Sequence, residues 1–77
     1  MNIVNEVNDA LKTYRDDYKD AKPGYQNYSR ALKRQIPGKT QIKTTFIDEL
    51  QELRCLAVGL SDDKAKIMID ALLKGYV

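Results

Sequence analysis

The sequence predicts an all-α fold: a compact bundle of about four short helices making one domain over residues 1–77. Three observations lead there. Apolar residues recur at helical spacing in four segments, Pro-Gly pairs or single glycines separate those segments, and no run alternates with the period of two that marks a strand.

The first helix is expected from about Asn2 to Ala21. Val4, Val7, Leu11, Tyr14 and Tyr18 follow one another at spacings of 3, 4, 3 and 4, which puts them on one face at 100° per residue. Lys12, Arg15, Lys19 and Lys22 flank that stripe on one side, while Asp9, Asp16 and Asp20 lie far round the other. Lys22-Pro23-Gly24 ends the helix, because a residue before proline is pushed out of the α region. A second helix is expected from about Tyr25 to Ile36, with Tyr25, Tyr28, Leu32 and Ile36 on one face and Arg30, Lys33 and Arg34 roughly opposite. Pro37-Gly38 stops it.

Lys39 to Thr44 reads as a polar connector, after which Thr44 or Thr45 caps a third helix running to about Val58. Phe46, Ile47, Leu50, Leu53 and Ala57 make its main face. Cys55, Leu56 and Val58 leave its second half apolar nearly all round, the pattern of a helix buried in the middle of something. Arg54 sits inside the apolar arc, where an arginine snorkels, pairs with a carboxylate or lies at an interface. Gly59 suits the left-handed position past the helix end. Ser61 is read as the N-cap of a fourth helix that runs to about Lys74 and stops at Gly75. Ala65, Met68, Ile69, Leu72 and Leu73 form its apolar arc, and Ile67 falls outside it.

Composition narrows the function classes. With 43% hydrophobic residues and a net charge of only +2, the chain reads as folded rather than disordered. It has no histidine and one cysteine, Cys55, which excludes an internal disulfide and leaves too few ligands for a zinc site. Cys55 has no histidine to activate it and sits among apolar residues, so it reads as a small buried hydrophobe. The glycines punctuate helices and form no phosphate loop, and no acid–base pair or nucleophile set is visible. The expectation is a non-enzymatic protein with no cofactor. A single cysteine and the lack of a leader or a roughly 18-residue apolar span give a cytoplasmic location with no membrane partner, and an initial Met without linkers reads as a complete small gene product.

Charge is unevenly spread, and that is informative about partners. Residues 22–43 carry Lys22, Arg30, Lys33, Arg34, Lys39 and Lys43 and no acid. Tyr25 and Tyr28 lie among them. These eight residues are the expected partner-binding set, docking on an acidic face of a larger protein or nucleoprotein complex in the manner of an adaptor, inhibitor or regulator, such as a phage-type accessory protein. The alternative is nucleic acid held through its phosphates by the same segment. The helix–glycine–helix unit around Gly59 loosely resembles a DNA-reading helix-turn-helix. Its second helix, however, would meet phosphates with Ser61, Asp62 and Asp63, so a capped core hairpin is the better reading. Tyr14, Tyr18 and Ile67 are candidates for self-association into a homodimer.

Overall fold

The computed structural model describes residues 2–76, which form three helices and a two-stranded hairpin. Helix α1 spans Ile3–Asp20, strands β1 and β2 span Gln26–Ser29 and Arg34–Pro37, helix α2 spans Lys39–Gly59, and helix α3 spans Asp63–Tyr76. The fold is mostly helical, as expected, but it is not all-α and has three helices rather than four.

The difference lies in residues 25–36, where an antiparallel hairpin replaces the expected second helix. Asn27 pairs with Ile36 and Tyr28 with Gln35, and a four-residue loop, Arg30 to Lys33, joins the strands. Two effects favour the hairpin. A helix of about twelve residues is marginal without tertiary cover, and of the four supposed stripe residues only Ile36 is half-buried, the other three being more than half exposed. Asn27, Ser29 and the two tyrosines, meanwhile, are weak helix formers, and tyrosine favours strands. Ser29 Oγ accepts from the Leu32 N–H inside the loop, and Lys33 closes it with a left-handed φ of 52°.

The hairpin foot also sets where α2 begins. Gly38 donates its N–H to Tyr25 O, Lys39 to Lys22 O and Thr40 to Gly24 O. Carbonyls from the preceding chain therefore satisfy the first donors of α2, in place of a side-chain cap. The helix starts at Lys39 rather than at Thr44, and the supposed polar connector is its first turn. Gly38 has no room for a side chain, since a Cβ would strike Gly24 O and approach Asn27 Nδ2 to 2.9 Å.

At the other end of α2, the chain turns through Leu60, Ser61 and Asp62. Asp62 donates to Ala57 O and Ser61 to Val58 O, the paired bonds of a Schellman turn. The left-handed residue is Ser61, at φ 57°, not Gly59, which remains helical. The cap of α3 is likewise Asp62, whose Oδ1 accepts from the Ala65 N–H at 3.2 Å, and Gly75 lies within α3 rather than ending it.

The core is a single seam. Helix α2 lies between α1 and α3, which touch each other only slightly. Ile3, Val7, Leu50, Ala57, Ala65 and Ile69 are buried along it. Arg54 resolves to the paired option, its Nε lying 2.6 Å from Asp70 Oδ1 on α3. The hairpin end of the seam is aromatic: Tyr14 stacks on Phe46 at 4.4 Å, and Tyr76 meets both edge-on at 5.4 Å. The expectation that α2 is covered all round its second half does not hold. Leu53 and Ala57 are buried, but Cys55, Leu56 and Val58 are exposed, because α1 and α3 flank only part of its circumference.

The molecule is long and thin, 46 × 23 × 17 Å, with a radius of gyration of 14.2 Å. A compact domain of this length has about 11.5 Å. The hairpin, about 13 Å of strand, packs on the helices chiefly through β2 against α2.

Candidate interaction site

The structure separates the eight expected partner-binding residues into two groups. Arg30, Lys33 and Arg34 gather at the hairpin tip around Leu32, all exposed. Tyr25, Tyr28 and Leu32 are 56%, 58% and 57% exposed, so these are not core side chains. Tyr28 shares its hairpin face with Gln35, while Arg34 lies on the face of Asn27 and Ile36. Lys22 is exposed at the foot, and its carbonyl is the acceptor for α2.

Lys39 and Lys43 are apart from the tip, on the first turns of α2. Lys39 is already engaged: its Nζ donates to Tyr18 O at 2.5 Å and sits 4.2 Å from the centre of the Tyr18 ring. It neutralises the carbonyl end of α1, where the helix dipole favours a cation, and ties the two helices together. It serves the fold and is not free for a partner. Lys43 is exposed beside Tyr18 and Tyr76 in an open groove.

The self-association set also divides. Tyr14 is buried in the aromatic cluster, and burial, reinforced by the neighbouring Tyr18 and Tyr76 phenols, pushes its pKa up. Tyr18 is half-covered by the core and Lys39. Ile67 alone is open to solvent, at 67%. Tyr76, which sequence reasoning passed over, closes the cluster. Its spacing of three from Leu73 and four from Leu72 continues the apolar arc of α3 and was the signal available.

Among the described residues, none of the tip cations has an ion-pair partner; the ion pairs are Arg54–Asp70 and Lys66–Asp70. An unpaired basic tip with exposed aromatic and aliphatic side chains can carry out recognition, by charge steering and by burying the tyrosines and Leu32. Two further findings bound the chemistry. Among the described residues no helix is long and apolar enough to cross a membrane, and no three His, Cys, Asp or Glu side chains gather as a metal site. The cleft between α1 and α2 holds about 160 Å³, below the roughly 300–1,000 Å³ of pockets for small ligands, whereas the open grooves beside Asp16 and Ile42 and beside Tyr18 and Tyr76 hold about 390 and 500 Å³.

Comparison with protein-family models, curated proteins and solved structures gives no match, so the functional reading rests on this geometry.

Proposed function

We propose that this chain is a non-enzymatic binding protein that uses the β-hairpin as its docking arm, engaging an acidic face of a larger protein or nucleoprotein complex. The observation that carries the reading is the exposure of Tyr28 and Leu32 beside Arg30, Lys33 and Arg34, with Tyr25 exposed at the hairpin foot, on an element that adds little to the core. Aromatic and arginine side chains supply most of the energy in protein interfaces, and the surrounding charge sets the rate and choice of encounter. Among the described residues both outer strand edges of the two-stranded sheet are also unpaired, which offers backbone donors and acceptors for strand addition. An adaptor or inhibitor role follows from occupying the partner's surface.

The test is affinity capture with the intact protein and two variants. Arg30→Glu with Arg34→Glu removes the charge, and Tyr28→Ala with Leu32→Ala removes the apolar contacts. Each is expected to lose the captured partner while keeping the helical circular-dichroism signal. Retention by both variants contradicts the reading.

A second reading has its own observation. A two-stranded ribbon with cations at its tip has the width that the DNA major groove admits. Phosphate contacts by the tip predict an affinity for labelled DNA or RNA that falls by orders of magnitude between 50 and 200 mM salt. Absence of binding at the lower salt leaves the protein partner.

A further inference from the structure

At the foot of the hairpin lies a groove of opposite character to the tip. Ile36, Pro37 and Ile42 form an apolar floor, and Asp16, Asp17 and Asp20 of α1 form its rim. Among the described residues these aspartates make no ion pair. The groove runs on, through Asp17, Pro37 and Ile42, into the cleft between α1 and α2. There Glu49 adds a fourth carboxylate, and Gln41 Oε1 is sealed from solvent with no donor.

We infer that this groove is the docking site for the hairpin tip of a second copy of the chain. The chemistry matches part for part. The tip presents a leucine flanked by cations, Arg30 and Lys33-Arg34, and the groove presents an aliphatic floor beside the carboxylates of α1. The loop residues Arg30, Leu32 and Lys33 are held off their own groove by the paired strands, about one strand length or roughly 13 Å away, whereas Arg34 lies two residues from Ile36 on the same face. Two copies with antiparallel hairpins bring each tip to the other's groove, and the two identical contacts close a two-fold pair with no open end. The pair covers the exposed tip. The inference shares the exposed tip with the function proposed above but needs no foreign partner. Self-pairing then competes with partner docking for the same tip, and the acidic groove imitates the acidic face on which the tip docks.

Sedimentation equilibrium of the intact protein tests it. Wild type is expected to be a dimer at 50 mM salt and to weaken at least tenfold by about 0.5 M, as screening shortens the reach of the charges. The tip variant Arg30→Glu/Arg34→Glu and the groove variant Asp16→Lys/Asp20→Lys are each expected to be monomeric. Mixed in equal amounts, their reversed charges match across one of the two contacts, and a mixed pair is expected to form. Glu52→Lys/Asp63→Lys, with the same net charge as the groove variant but changes outside the groove, is expected to remain dimeric. A wild type that stays monomeric at several hundred micromolar in 50 mM salt overturns the inference. So does a groove variant that pairs as well as wild type, or a mixture that does not recover. Because the groove variant keeps the tip, it retains capture of a foreign partner; loss of self-pairing alone is thereby distinguished from failure of the docking arm.

Discussion

Lys39 and Tyr18 join the end of α1 to the start of α2 twice over, through a 2.5 Å hydrogen bond from Nζ to the Tyr18 carbonyl and through the ammonium 4.2 Å from the ring centre. Hydrogen bonds to charged groups contribute about 1.5–3 kcal/mol, and partly exposed cation–π contacts about 0.5–1 kcal/mol. Lys39→Met keeps the aliphatic stem and loses both. Allowing for the exposed part of the contact, a loss of about 1–2 kcal/mol is expected, read as a fall in Tm of roughly 4–8 °C per kcal/mol for a domain of this size. Lys33→Met at the exposed tip is expected to leave Tm within a degree or two. Equal effects at the two sites contradict the division between structural and docking lysines.

The glycines give a test of the backbone. Gly38→Ala forces a Cβ against Gly24 O, and because the obstacle is backbone the hairpin foot must move, at a cost of about 2 kcal/mol or more. Gly59→Ala is expected to do the reverse. Gly59 is helical with open space around its Cα, so alanine adds about 0.8–1 kcal/mol of helix propensity. Ser61→Gly also stabilises, because a non-glycine residue in the left-handed region costs roughly 1–2 kcal/mol, partly offset by the greater freedom of glycine in the unfolded chain. Had the left-handed residue been Gly59, alanine there would destabilise. Urea titration of the three variants distinguishes the two geometries.

Stability at the extremes of pH follows from two side chains. Asp70 is held below the usual carboxylate range chiefly by the hydrogen bond from Arg54; desolvation, the next largest effect, opposes it, and the Arg54 and Lys66 charges add smaller lowering effects. A lowered folded pKa gives a contribution that is present above the unfolded value, about 3.9, and lost as pH falls through the folded one. Asp70→Asn is expected to flatten the acid limb of the stability profile below about pH 4. Tyr14 works at the other end. Its raised pKa favours the protonated phenol in the folded state, so its contribution is intact below the unfolded pKa near 10 and lost as pH rises through the folded one. Tyr14→Phe keeps the stack on Phe46, and it is expected to unfold at higher pH than wild type while matching it near pH 7.

Much of the helical scaffold is legible in the sequence because its apolar spacing continues until the core is filled. Val7, Leu50 and Ile69 were expected inside and are fully buried. The hairpin was not legible, because Tyr25, Tyr28, Leu32 and Ile36 mimic a helical stripe while three of them face solvent. The hints were local: two Pro-Gly pairs with twelve residues between them, enclosing Gln-Asn-Tyr-Ser. The closing bonds from Gly38, Lys39 and Thr40 to the chain before β1 are non-local and leave no trace in spacing. For the same reason Lys39 resembles the other cations in sequence and differs from them in structure. Cys55 misled in the opposite direction, since its apolar neighbours implied a cover that no fourth helix provides. The basic segment itself was visible from charge alone. What sequence could not supply was its shape, a projecting tip with an acidic groove at its foot.

The most direct measurement of the docking-arm account places a photo-crosslinking residue at Leu32, and in a parallel protein at Lys64 on α3, in the otherwise intact chain in cells. The account predicts discrete adducts from position 32 that disappear with Arg30→Glu/Arg34→Glu, and none of them from position 64. An adduct of twice the 8.8 kDa chain mass reports a second copy, and a heavier one reports the foreign partner. No adduct from position 32, or adducts that survive charge reversal at the tip, would contradict it.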